Sequence, residues 1–198
     1  MTRLVLASES PRRREIMASI GMDFEAVSPG ITEKAAFGEA PRDTARRLAA
    51  EKAVAVSLRM RDALVIGADT VVDLDGVPLS KPRDRADSRR MINMLNGRAH
   101  LVHTGIAAAF GGSVTASGTE TTKVFFGDLK PDEIDEFVAS GLGDDKSGAY
   151  AIQGRGAMLV ERIEGCYSNV VGLPVYRLKK MLERLAPETL VQLGNSSR

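Results

Sequence analysis

The stretch Ala63-Leu64-Val65-Ile66-Gly67-Ala68-Asp69-Thr70-Val71-Val72 decides the fold. It is short, β-branched and apolar at successive positions, the pattern of a central strand buried on both faces. A shorter run of the same kind, Leu4 to Ala7, precedes it. Between the two, Ser10-Pro11 starts a helix that Gly21 stops, with Ile16, Met17 and Ile20 on its apolar side. Phe24 to Val27 reads as a strand. Thr44 to Leu58 reads as a helix with Ala45, Leu48, Ala49, Ala53 and Val56 on one side. The segment Ala35 to Pro41 between them has little periodicity and reads as mobile.

Downstream, Asp75-Gly76 makes a hairpin turn toward Val77 and Leu79, and Lys81-Pro82 stops that strand. Asp84 to Leu95 is a helix closed by Asn96-Gly97. Ala99 to Phe110 and Ser113 to Phe126 form a long hairpin around Gly111-Gly112. Pro131 to Ser140 is a helix ended by Gly141, and Gly141 to Gly148 a polar loop. Tyr150 to Gln153 and Met158 to Ile163 read as short strands, and Val175 to Leu185 as a terminal helix. Alternating helices and strands with one long hairpin predict an α/β fold with a mixed sheet. The expected organisation is a single domain of two lobes over residues 1–186, with a frayed tail over 187–198.

With 27 basic against 26 acidic residues the net charge is +1, so bulk electrostatics favour neither a nucleic acid polymer nor an anionic membrane. Any anion site is local. The single cysteine, Cys166, excludes an intramolecular disulfide and is expected to be a buried core thiol. The apolar run after Arg3 is shorter than a signal-peptide core, and no segment approaches a membrane span, so the expected address is the cytoplasm. His100 and His103 are read as sharing one face of the hairpin, at its surface.

Three features break local rules. Arg12, Arg13 and Arg14 crowd the first turn of a helix, where the dipole disfavours cations by roughly 0.3–1 kcal/mol each. A solvated basic helix start would account for them, and so would a phosphate or carboxylate cradle built with Ser8 and backbone N–H groups. Asp69 places a carboxylate inside an apolar strand, which requires a partner, a hydrogen bond or a metal. A buried salt bridge is the plain alternative to a catalytic role. The third is the glycine-dense stretch from Asp145 to Ala157, which permits close approach to a ligand, with Gln153 offering a donor and an acceptor side by side. That amide complements uracil or thymine, and flipped over it complements cytosine.

Taken in order, several motifs make the chain resemble the Maf-family nucleoside triphosphate pyrophosphatases from end to end. They are Leu6-Ala7-Ser8 with Ser10-Pro11-Arg12-Arg13, Glu51-Lys52-Ala53, Ile66-Gly67-Ala68-Asp69-Thr70, Lys81-Pro82, and Asn96-Gly97-Arg98 with His100 and Thr104-Gly105. Asp145-Lys146 with Gly148-Ala149-Tyr150, Ile152-Gln153-Gly154, and Val171-Gly172-Leu173-Pro174 complete the set. The resemblance implies a twisted mixed sheet flanked by helices around a deep central cleft, similar to the inosine triphosphatase fold. It also implies cleavage of a nucleoside triphosphate to monophosphate and pyrophosphate with a divalent metal, Mg²⁺ or Mn²⁺. By the same resemblance Asp69 is the proton acceptor and Lys81 assists at the α phosphate. Ser8, Arg12, Arg13, Glu33, Lys52 and Lys81 form the phosphate and metal region, with Asp69 and Glu33 as the metal carboxylates.

Arg12, Thr70 and Gln153 mark the branch that favours dTTP and UTP over 7-methyl-GTP. Thr32 stands where many members carry a second acid, and Ser147 and Ala151 where alanine and glycine are more usual. The resemblance further brings a homodimer and an association with arrest of cell division. The latter leaves a non-catalytic nucleotide-binding regulator as an alternative. A second alternative comes from Asp73-Leu74-Asp75-Gly76, which is similar to the nucleophile motif of haloacid-dehalogenase phosphatases, with Asp73 as the phosphorylated residue. A plain hairpin turn explains that stretch better.

Overall fold

The structure is a computed structural model that describes residues 2–33, 36 and 38–191. Ala35 and Phe37, in the segment read as mobile, and residues 192–198 of the tail lie outside the described residues. Seven strands form one mixed sheet: β1 (Arg3–Ala7), β2 (Glu25–Val27), β3 (Ala63–Leu74), β4 (Val77–Leu79), β5 (Ala99–Phe110), β6 (Ser113–Phe126) and β7 (Val160–Glu164). The order is β2-β1-β3-β5-β6-β7, with β4 also on β3. β1 runs parallel to β2 and β3, and the remaining pairs are antiparallel.

One detail of this register makes the cleft. β1 pairs with Ala63 to Gly67 of β3, and β4 pairs with Val72 to Leu74, while β5 pairs continuously from Val65 to Asp73. β1 and β4 thus share one edge of β3 and leave Ala68 to Val71 without a strand partner on that edge among the described residues.

Strand alternation sorts the core into faces. Leu4, Leu6, Leu64, Ile66, Ile106 and Ala108 point to one face, where they meet Met17 of α1 (Pro11–Ser19) and Leu178 and Leu182 of α6 (Val175–Leu185). Val5, Ala7, Val65, Ala107 and Ala109 point to the other, under Ala49, Ala53 and Val56 of α2 (Pro41–Ser57). Val72, Leu74, Val102, Val124 and Phe126 carry the first face into a separate core cluster, beneath α3 (Arg85–Leu95) and α4 (Pro131–Ala139). Asp84 caps α3 by accepting from the Asp87 N–H at 2.8 Å. Ser10 sits at the N-cap position of α1 but makes no side-chain cap bond, and Gly21 follows that helix with φ +70°.

α2 lies against the sheet at the limit of approach. A Cβ on Gly67 would stand 2.2 Å from the Ala49 carbonyl oxygen, and one on Gly105 would stand 2.1 Å from that of Ala45. Two glycines facing a small-residue helix stripe therefore set the helix–sheet distance. No helix among the described residues is long and apolar enough to cross a membrane.

Several expectations need correction. Tyr150 to Gln153 is not a strand: Tyr150 and Gln153 keep extended backbone, but after the left-handed Gly148 (φ +71°) and Ala149 (φ +61°) no strand among the described residues pairs with the stretch. Short 3₁₀ turns, Ser147–Ala149 and Gly154–Leu159, flank it instead. A five-residue helix, α5 (Tyr167–Val171), occupies a stretch given no element, and its N-cap Cys166 is only half-buried, with Sγ 3.2 Å from Ser168 Oγ. The tail holds one more helical turn, α7 (Glu188–Val191), with Thr189 buried and Glu188 bonded to Thr2.

Both histidines are buried and, being three residues apart, face opposite sides of β5. His103 Nε2 meets Asp73 Oδ2 at 3.1 Å, and Nδ1 meets Thr121 Oγ1 at 2.9 Å. Asp73 Oδ1 accepts from the Gly76 N–H at 2.7 Å, closing a turn in which Asp75 (φ +54°) and Gly76 (φ +84°) are both left-handed. Asp73 is spent on that turn and on His103, so its reading as a phosphorylated nucleophile is withdrawn.

The helix–sheet contact makes a direct prediction. Gly105→Ala drives a Cβ into backbone that no rotamer change relieves, and urea unfolding should show a loss of ~1–3 kcal/mol or more. Gly111→Ala, where a Cβ meets nothing within 4 Å, carries only the strain of its positive φ and should lose less.

Candidate active site

The unpaired edge of β3 opens into a cavity of about 280 Å³. Ser8, Arg12, Arg13, Glu33, Lys52, Asp69, Thr70, Lys81 and Gln153, singled out from sequence, all line it. Ser8 comes from the β1–α1 loop, Arg12 and Arg13 from the first turn of α1, Glu33 from the loop after β2, Lys52 from α2, Asp69 and Thr70 from β3, and Lys81 from the turn after β4. Gln153 precedes the Gly154–Leu159 turn.

Asp69 points toward α2, as Val65 and Gly67 do, and Lys52 on α2 reaches down to it. Lys52 Nζ lies 2.6 Å from Asp69 Oδ1 and 2.8 Å from Glu33 Oε1. The Lys52 and Asp69 side chains are 5% and 8% exposed and Glu33 49%, so one ammonium ties a buried carboxylate to an open one. Burial raises the pKa of Asp69 against the pull of Lys52 and Arg13. Burial also works against the Glu33 carboxylate, but Lys52, Lys81 and Arg13 outweigh it and hold its pKa below the usual carboxylate range. Asp69 Oδ2 has no hydrogen-bond partner among the described residues and is not among the buried polar atoms that lack one, so it faces the cleft.

On the other face of β3, the buried Arg13 donates from Nε to the Gly172 carbonyl at 2.8 Å, from Nη1 to Ser8 Oγ at 3.4 Å and from Nη2 to Thr70 Oγ1 at 3.1 Å. Ser8 Oγ also accepts from the Ser10 N–H at 3.1 Å, which shapes the loop entering α1. Burial lowers the pKa of Arg13, opposed by Asp69 and Glu33, and lowers that of the half-buried Arg12, opposed by Asp145 and Glu15. Arg12 has no hydrogen-bond or ion-pair partner within reach among the described residues, so its guanidinium is available to a ligand. Lys81 and Gln153 sit exposed at the rim.

The family model for Maf-like protein matches residues 3–185. The chain belongs to the Maf-like family. A relative from Geobacter metallireducens named dTTP/UTP pyrophosphatase is 49% identical over 177 residues, covering 88% of this chain and 91% of its own. Another of that name, from Pelotomaculum thermopropionicum, is 44% identical over 191 residues, covering 96% and 100%. Among solved structures, the Ham1 protein of Staphylococcus aureus aligns over 65% of this chain and 74% of its own, with 18% identity and a TM-score of 0.47.

Sequence reading missed other residues of this Maf-like cleft. Ser147 Oγ donates to the Thr70 carbonyl at 3.3 Å, filling part of the unpaired edge of β3. The Gly172 carbonyl anchors Arg13, and Thr104 bonds Thr70. Tyr150 lines the cavity with its hydroxyl 2.6 Å from His100 Nε2, and His100 and Phe126 stack edge-on against it. Ser147 stood out in the sequence as a departure from the usual alanine, and Thr104, Tyr150, Gly172 and His100 stood in quoted motifs without a role. Their contacts follow only once the strands are paired.

Burial depresses His100 from its ordinary 6.5 to about 4. The unfolded chain therefore takes up a proton that the folded state refuses. This contribution is intact above pH 6.5 and is lost as the pH falls from 6.5 toward 4, by ~3 kcal/mol in all. Urea midpoints of the wild type should fall more steeply over that window than those of His100→Gln, which has no group to titrate.

Proposed function

We propose that this protein hydrolyses nucleoside triphosphates, dTTP and UTP in preference, to the monophosphate and pyrophosphate. The observation that carries the reading is the buried Lys52–Asp69 pair on the floor of a cleft whose walls hold Arg12, Arg13 and Lys81. A raised carboxylate pKa at the base of a cation-lined cleft suits proton removal from a water beside a phosphate chain. The names of the 44–49% identical relatives support the same substrates.

In this reading Asp69 accepts through Oδ2 the proton of the water that attacks the α phosphorus, while Lys52 holds Oδ1 and orients the carboxylate. Arg12, Arg13 and the start of α1 bind the β and γ phosphates and take up charge developing on the departing pyrophosphate. Lys81 does the same at the α phosphate. Thr70 and Gln153 read the base. The substrate is a free nucleotide in the cytoplasm.

The donor set also fits a divalent cation. Glu33 and Asp69 each give one carboxylate oxygen to the Lys52 ammonium and keep a second hard oxygen beside it, and no group of three or more His, Cys, Asp or Glu side chains converges among the described residues. One or two carboxylates, completed by phosphate oxygens and water, is the usual setting for Mg²⁺. Bound by Asp69 and Glu33, such an ion would polarise the water and offset phosphate charge.

The test is a panel of canonical triphosphates and 7-methyl-GTP with Mg²⁺ or Mn²⁺, reading pyrophosphate and orthophosphate separately. Pyrophosphate from dTTP and UTP is expected. Orthophosphate alone, or tight binding without turnover, would overturn the activity, and preferred turnover of 7-methyl-GTP would overturn the specificity.

Two variants test the roles. Asp69→Asn should lower kcat by about 10²–10⁴ while nucleotide binding stays measurable. Gln153→Ala should cost dTTP and UTP more kcat/KM than it costs purine triphosphates, and equal losses would remove it from base reading.

A further inference from the structure

Thr104 sits in β5 directly across from Thr70 in the strand register and is fully buried. We infer that Thr104 is a specificity-positioning residue, which fixes the Thr70 hydroxyl as a hydrogen-bond acceptor toward the substrate. The inference rests on the reading above, in which Thr70 meets the base.

Counting protons carries the argument. Thr104 Oγ1 lies 2.8 Å from the carbonyl oxygen of Asn169, a group that only accepts, so the one hydroxyl proton of Thr104 is committed there. The same Oγ1 lies 2.9 Å from Thr70 Oγ1. With its own proton committed, Thr104 accepts in that contact and Thr70 donates. The reverse order would set a lone pair of Thr104 against a lone pair of Asn169 at 2.8 Å, and would lose one of two buried hydrogen bonds.

Arg13 Nη2 approaches Thr70 Oγ1 at 3.1 Å as a donor, which the same assignment accommodates. Thr70 therefore presents to the cleft a lone pair and no proton. A threonine hydroxyl ordinarily serves either role, and here the packing removes one of them.

The Asn169 carbonyl that sets the direction is held in place by its own side chain. Asn169 is fully buried, and its amide nitrogen donates at 2.9 Å to both the Val102 carbonyl and Thr122 Oγ1. Thr122 Oγ1 gives its own proton to the Cys166 carbonyl and accepts from the Cys166 N–H, each at 3.0 Å.

An acceptor-only Thr70 matches the N3–H of uracil and thymine, while cytosine presents a lone pair at that position. The amide nitrogen of Gln153 is then free to donate to the neighbouring carbonyl of the base.

The test measures kcat/KM for UTP and CTP on the wild type, Thr104→Val and Thr104→Ser. Valine keeps the shape and removes the acceptor, releasing the Thr70 proton toward the cleft. The UTP-to-CTP ratio should fall about ten-fold in Thr104→Val, equivalent to ~1.4 kcal/mol, mainly through a higher KM for UTP. Serine, which keeps the hydroxyl, should restore the ratio. Because both nucleotides are assayed on one preparation, an unfolded fraction cancels.

A Thr104→Val enzyme that loses both activities by the same factor, or keeps the wild-type ratio, overturns the inference. Failure of serine to restore a lowered ratio overturns it as well. A wild type that does not prefer UTP to CTP overturns the base-reading role of Thr70 and this inference with it, but leaves the pyrophosphatase chemistry standing.

Discussion

The distance between α2 and the sheet governs the rest of the molecule. Asp69 is tolerated inside an apolar strand because Lys52 stands 2.6 Å above it, and Lys52 stands there because Gly67 and Gly105 let the backbone of α2 press onto β3 and β5. A buried ion pair contributes little net stability, since desolvation consumes most of the attraction. The alanine stripe of α2 against the small residues of the sheet must therefore hold the pair in place. Removing Lys52 alone would leave an uncompensated buried carboxylate, the more damaging way to break such a pair.

The second structural fact is an unfinished strand edge. β1 and β4 meet the same side of β3 from its two ends and stop short of each other, and Asp69 and Thr70 fall in the gap. Open α/β sheets bind ligands where neighbouring chain segments diverge, because the crevice there exposes backbone and side chains that pairing would otherwise cover. Here Ser147 reaches in from the turn after α4 to the Thr70 carbonyl, so a distant segment closes part of the gap. Position, more than composition, makes this the site: the net charge of +1 gave no hint of an anion cleft.

The parts of the fold legible in sequence were those governed by local pattern. β3 announced itself by a β-branched run interrupted by one carboxylate, α2 by its alanine stripe, and the β3–β4 turn by Asp75-Gly76. The failures share a cause in long-range pairing. Tyr150 and Ile152 are both buried and mimic strand alternation, yet the stretch lies between two 3₁₀ turns and no strand comes alongside to pair with it. His100 and His103 look like surface residues until Tyr150, Asp73 and Thr121 are brought across from other segments to bond them. Thr104 could be quoted as part of a motif, but its use depends on the Asn169 carbonyl, 65 residues away.

Two carboxylates meet on one lysine. Asp69 and Glu33 share the Lys52 ammonium, yet burial drives the pKa of the first upward while surrounding cations hold the second down. Groups of the same kind pushed apart by their surroundings are suited to different tasks. Glu33, half-exposed and held ionised, suits charge holding at the mouth of the cleft. Asp69, buried and with Oδ2 facing the cleft, suits the acceptance of a proton. Lys52 enforces the division, since it occupies only one oxygen of Asp69 and leaves the other to face the phosphate chain.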